Sequence, residues 1–113
     1  MSSNDSDAKR SAVFSSSVAR IADRTNVGFI GDIDARSAGT FRNQLLSLAK
    51  EHPKSIVIDM ESVQHVDPHA VAVLVEVLRF TREHGIALTV KATRPPVRDA
   101  FADTPVVRLL ARG

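Results

Sequence analysis

Hydrophobic positions change their period several times along the chain, and each change marks an element. From Ala12 to Ala22, Val13, Phe14, Val18 and Ile21 stand among serines and Arg20, an edge-strand composition. Asp23-Arg24-Thr25-Asn26 reads as a hairpin turn, and Val27 to Ile33 as a second strand. Within that strand Gly28 and Gly31 mark a close backbone approach or a bulge. Asp34 precedes Ala35-Arg36-Ser37 and is placed to cap a helix by accepting backbone N–H bonds. The helix runs to about Lys50, with Ala38, Phe41, Leu45 and Leu48 on one face and Arg36, Asn43, Ser47 and Lys50 opposite. Pro53 ends it.

Ser55 to Met60 is a continuous, β-branched-rich run, which predicts an interior strand covered on both faces. Glu61 to Val66 then reads as a connection to Asp67. The stretch His69 to His84 carries Val71, Val73, Val75 and Val77, which would suit a strand, but its sixteen residues exceed a normal strand. Asp67 as N-cap, Pro68 at the first helical position and Gly85 just past the end favour a helix. Its spacing buries Val71, Leu74, Val75 and Leu78 and exposes Ala72, Glu76, Arg79 and Glu83. Val73 and Phe80 fall between, close to the solvent stripe and in line with His69. They are either an exposed binding ridge or a flank covered by a neighbouring segment. Ala87 to Lys91 is a further strand, and Pro96 opens a short helix bearing Val97, Ala100 and Phe101. Val106 to Leu110 is a last strand or a helix start.

Strands alternating with helices imply right-handed crossovers and parallel neighbours, and the opening hairpin adds an antiparallel edge. The expected fold is α/β: a mixed sheet of four to five strands with helices packed mainly on one face. Residues 1–11, polar and Ser-rich, read as a disordered tail, and residues 12–113 as a single domain.

Composition narrows the chemistry. A length of 113 residues suits one core, and 43% apolar with 25% charged residues is ordinary for a soluble globular protein. No run approaches the ~20 apolar residues of a membrane span, so direct membrane insertion is not expected. Met1 to Asp7 has no apolar segment and does not read as a secretory signal. The lack of cysteine excludes disulfides and thiolate metal sites and fits a cytoplasmic setting. A net charge of +2 with dispersed basic residues argues against nucleic acid as a partner.

Candidate reactive groups are few. His65-x-Asp67-x-His69 has zinc-type donors at alternate positions. Asp67 is better used as a helix cap, however, and Pro68 breaks the extended geometry, so solvated loop histidines are the preferred reading. Asp32-x-Asp34 lacks the later positions of a calcium loop. His52 and His84 sit at predicted helix ends, where they suit the dipole. With no Gly-x-Ser-x-Gly elbow and no Gly-rich phosphate loop, neither an enzyme nor a cofactor is expected.

Three stretches in order resemble the STAS domain, named for sulphate transporters and anti-sigma factor antagonists. Phe29-Ile30-Gly31-Asp32-Ile33-Asp34, followed by Ala38, Phe41 and Leu45, is similar to the family's Leu-x-Gly-Glu-Leu-Asp approach to its first helix. Ile56-Val57-Ile58-Asp59-Met60, then Val63 and Val66-Asp67, resembles its central strand. Pro96-Val97-Arg98-Asp99-Ala100-Phe101 resembles its late Pro-x-Val-x-x-x-Phe segment.

The resemblance covers roughly residues 14–110 and implies a small non-enzymatic regulator. It would bind an anti-sigma factor or kinase-like partner and so control sigma-dependent transcription. An accessory subunit of a membrane lipid-transport complex is the alternative. The expected contact surface is Asp32, Asp34, Asp67, Pro68, His69 and Val73. Family members carry a phosphorylated serine within Asp-Ser-Ser-Gly-Leu, where this chain reads Asp67-Pro68-His69-Ala70-Val71. His69 aligns with the phosphoserine and offers no hydroxyl, and Ser62 lies five residues before Asp67, so serine phosphoregulation is not expected. The edge strand and the mixed helix flank leave room for a homodimer.

Overall fold

Along the three parallel strands every side chain that points at the helices is apolar or small, and that pattern sets the architecture. The computed structural model describes residues 14–111. Strand β1 (Ser15–Ile21) pairs antiparallel with β2 (Arg24–Ile33). β2 then pairs parallel with β3 (Ser55–Val66), and β3 with β4 (Ala87–Lys91), giving the sheet order β1-β2-β3-β4. Helix α1 (Ala38–Ala49) connects β2 to β3, and helix α2 (Pro68–Glu83) connects β3 to β4. With the usual right-handed crossovers, both helices fall on the same face. A short helix α3 (Pro95–Phe101) and a 3₁₀ turn (Pro105–Leu109) complete the chain, and Leu110 bridges to Val90 at the β4 edge. The fold is thus the expected α/β sandwich of a four-stranded mixed sheet and helices. The tail expected over residues 1–11 lies outside the described residues.

The core is one continuous cluster between the sheet and the helices. Alternation along β2 buries Thr25, Val27, Phe29, Gly31 and Ile33. Phe29 meets Phe41 of α1 edge-on at 4.8 Å between ring centroids and stacks on Phe14 at 5.7 Å, so one aromatic cluster joins helix, sheet and edge strand. The predicted α1 face holds: Ala38, Phe41, Leu45 and Leu48 are buried. Arg42 of α1 forks onto Glu76 of α2 at 2.8 and 2.7 Å.

Several expectations need correction. The hairpin turn is Ala22-Asp23 rather than Asp23 to Asn26, because Ala22 itself adopts φ 53, the positive φ that primed hairpin turns require at their first central residue. β2 therefore starts at Arg24, and Thr25 is buried. The strand expected to stop at Met60 continues to Val66. Its buried residues are Ile56, Ile58 and Met60 at period two, then Val63 and Val66 at period three. Two register shifts against β2, between Gly28 and Ile30 and between Gly31 and Ile33, explain the changed period, since each inserts one extra β3 residue. Gly31, on β2 opposite the second of these bulges, adopts φ 102, a backbone conformation open to glycine. β3 is not covered on both faces: Ser55, Val57 and Asp59 are only half-buried on the helix-free side.

Helix α2 is confirmed by its capping. Asp67 accepts backbone bonds at its start, and Gly85 (φ 68) ends it, with the Ile86 N–H reaching the Thr81 carbonyl at 2.8 Å. Its face is rotated from the expected one. Ala70, Val73, Leu74, Val77, Leu78 and Thr81 are buried, while Val71 and Val75 are half-buried. Val73, at 7% exposure, belongs to the core and not to a solvent-facing ridge. Val106 to Leu109 forms the 3₁₀ turn, neither strand nor α-helix.

Candidate functional site

At the carboxyl ends of β2 and β3 the chain leaves the sheet by two loops, and Ile33 pairs with Val66 between them. Open α/β sheets expose their binding crevices at this end, because the loops there are free of the ladder. The Asp67 N–H donates to the Ile33 carbonyl at 3.1 Å, which fixes the start of α2 against the β2 loop.

Asp67 builds the helix tip. Its backbone is extended (φ −101, ψ 176), as an N-cap requires, and Pro68 follows at the first helical position. Oδ1 accepts from the N–H of His69 at 2.9 Å and of Ala70 at 3.3 Å. The Asp67 carbonyl accepts from Ala70 at 3.0 Å and Val71 at 3.3 Å. Since Pro68 has no N–H, each donor of the first turn already has an acceptor. Oδ2 stands 3.4 Å from the His69 Nδ1. The cap side chain is 19% exposed and the His69 side chain 65%, so the tip presents the imidazole, beside the exposed Pro68 ring, rather than the carboxylate.

The neighbouring loop is tied down by a reciprocal pair. Asp34 Oδ1 accepts from the N–H of Arg36 at 2.9 Å and of Ser37 at 3.3 Å. The Ser37 hydroxyl accepts from the Asp34 N–H at 3.0 Å and donates to the Asp32 carbonyl at 2.9 Å. Asp34 therefore accepts backbone bonds as expected, but it closes a turn over residues 35–37, and α1 starts only at Ala38. The Arg36 guanidinium, at 3.1 Å from Oδ2, and the Arg36 N–H hold the Asp34 carboxyl below the usual carboxylate range.

Between α2 and α3 runs an open apolar groove of about 460 Å³, lined by Val66, Asp67, Pro68, Val71, Ala72 and Ala100. It starts at the helix tip, so polar cap and apolar trough form one surface.

The structure gathers Asp32, Asp34, Asp67, Pro68 and His69 at one end of the sheet and removes Val73 to the core. His65 is exposed on β3, and among the described residues no group of three histidine, aspartate or glutamate side chains could hold a metal ion. Ser62 is exposed on β3, paired with Ile30, roughly 15 Å along the strand from Asp67. Sequence reasoning overlooked Ser37, although the Asp34-x-x-Ser37 spacing is that of a reciprocal cap. It also overlooked the groove contribution of Ala100, which no local pattern signals.

Among the described residues no helix is long and apolar enough to cross a membrane. No curated protein sequence matches the chain significantly. Solved structures do match. An anti-sigma factor antagonist from Mycobacterium paratuberculosis superposes with TM-score 0.77 at 17% identity, over 89% of this chain and 87% of that one. The anti-sigma factor antagonist SpoIIAA in its unphosphorylated form gives TM-score 0.75 at 13% identity, over 89% and 88%. The murine anion transporter of solute carrier family 26 gives TM-score 0.67 at 17% identity, over 81% of this chain but 16% of the transporter. Identities this low speak for fold alone. The STAS domain pattern itself matches residues 14–111, the same span that folds here into the four-stranded sheet and its helices, and the chain therefore belongs to the STAS domain family.

Proposed function

We propose that this chain is a non-enzymatic regulator of the anti-sigma factor antagonist type, binding an anti-sigma factor or a related kinase-like protein in the cytoplasm. Asp32, Asp34, Asp67, Pro68 and His69 form the polar part of the contact, and the Val66–Val71–Ala100 groove accepts an apolar side chain of the partner. The observation that carries this reading is the joined, exposed surface at the carboxyl ends of β2 and β3, where the Asp67 N–H meets the Ile33 carbonyl at 3.1 Å. Polar groups around an apolar trough are the ordinary anatomy of a protein-binding patch.

Serine phosphorylation does not gate this contact. The tip offers Pro68, His69 and Ala70 and no hydroxyl.

A second reading, an accessory subunit of a membrane lipid-transport complex, draws on the likeness to a domain of an anion transporter. Affinity purification of the full chain from its host separates the two. Recovery of an anti-sigma factor supports the first, recovery of a transport ATPase with membrane subunits the second. Incubation with the recovered kinase and ATP should add no phosphate by mass spectrometry. A phosphorylated serine that abolishes binding would overturn the ungated reading.

A further inference from the structure

Two histidines 32 positions apart in sequence meet where α1 and α2 both end. The His52 and His84 rings lie 5.4 Å apart between centroids and are tilted by 51°. We propose that His52 and His84 together form a binding site for one divalent transition-metal ion of the zinc, nickel or copper class.

The spacing fits. Metal–nitrogen bonds of about 2.0–2.1 Å place two imidazoles that share an ion roughly 5 Å apart between centroids. One nitrogen of His84 is already engaged: Nδ1 lies 2.9 Å from the Phe80 carbonyl. A carbonyl only accepts, so Nδ1 carries the proton and Nε2 keeps its lone pair, the tautomer that metal-binding histidines use. The same ring stacks on Phe80 at 4.1 Å, which fixes its plane. His52 is held at φ 58, a conformation that helix ends normally give to glycine or asparagine. At that turn its imidazole stands beside that of His84.

Charge favours a cation there. Both helices direct the negative end of their dipoles toward this joint. The nearby Glu51 is engaged by Arg20 through bonds of 2.8 and 2.8 Å, so it does not compete for the histidines. Lys50, Lys54, Arg82 and Glu83 are the other charged neighbours in sequence, and all four are exposed. Among the described residues no third histidine or carboxylate joins the pair, so water fills the remaining positions and the ion is exchangeable. Two neutral imidazoles select borderline metals over magnesium or calcium. Such an ion would staple the end of α1 to the end of α2 and stabilise the native chain by mass action.

Calorimetric titration of zinc and nickel chloride into the untagged full chain tests this. One ion per chain is expected, with no uptake of magnesium. His52→Phe and His84→Phe keep a ring and lose a donor, and each should weaken binding by more than the ~10-fold lower bound for losing an outer-shell partner. The double variant His65→Ala/His69→Ala should bind as the native chain does. Absence of uptake, unchanged affinity in both Phe variants, or loss only in the double variant would overturn the proposal. Should a Phe variant fail to fold, nickel broadening of the native imidazole resonances decides: effects centred on His52 and His84 support the site, and effects centred on His65 or His69 refute it.

Discussion

The backbone N–H of Asp67 donates to the carbonyl of Ile33 at 3.1 Å, so the residue that caps α2 also locks that helix to the end of β2. One residue thus sets both the start of the helix and its height above the neighbouring loop. The cap bonds come from the side chain and the lock from the main chain, and mutation separates them.

Asp67→Ala removes the acceptor for His69 and Ala70 but leaves the backbone bond. Loss of an N-cap costs about 0.5–2 kcal/mol. Urea denaturation should show a drop of that size, and Asp67→Asn should recover most of it. A change below ~0.3 kcal/mol for the alanine variant would mean that water replaces the cap at no cost.

Gly31 sits inside β2 at φ 102, next to the second register shift. An alanine there meets the side-chain clash that glycine avoids, and such substitutions destabilise by more than about 1 kcal/mol. Gly39 has open space around it and an ordinary helical backbone, so Gly39→Ala should be neutral or stabilising in the same urea assay.

Val73 separates core from contact surface. It is 7% exposed, so Val73→Ala should cost about 1–3 kcal/mol. Partner affinity measured well below the melting point should stay within about twofold of the native value.

Four carboxylates are held below their ordinary range by facing hydrogen-bond donors: Asp34 by Arg36, Glu51 by Arg20, Glu61 by Thr93 and Glu76 by Arg42. A lowered folded-state pKa means that the unfolded chain binds protons first as acid is added. The associated stability is therefore complete above the unfolded values, 4.5 for glutamate and 3.8 for aspartate, and is lost as pH falls through and below them. These four carboxylates should leave the urea midpoint unchanged from neutrality to about pH 5 and lower it below that. Because each of these groups still meets solvent, salt near 1 M, with its Debye length of about 3 Å, should shrink the decline.

Much of this architecture was legible in the residues, for identifiable reasons. α1 declares itself because Phe41, Leu45 and Leu48 keep helical spacing, and α2 because Asp67, Pro68 and Gly85 bound it. The strand over Glu61 to Val66 was hidden because bulges change its buried period from two to three. The hairpin was misplaced because Ala22 adopts a conformation its side chain does not advertise. Val73 was left between the two faces because the rotation of α2 by about one residue is set by packing on α1, the 3₁₀ turn and the sheet, which local spacing does not contain. At the site, capping by Asp67 and Asp34 followed from local pattern. The bond from Asp67 to Ile33, and the meeting of His52 with His84, depend on which strands become neighbours.

The central claim is that the exposed tip of α2 is what a partner recognises, and His69→Glu tests it most directly. The His69 side chain is 65% exposed, so the substitution should leave the urea midpoint within about 0.5 kcal/mol of native. Titration calorimetry against the anti-sigma factor recovered from the host should then show binding by the native chain and at least a tenfold loss for the variant, equivalent to about 1.4 kcal/mol. Equal affinity of the two folded proteins for that partner would contradict the account.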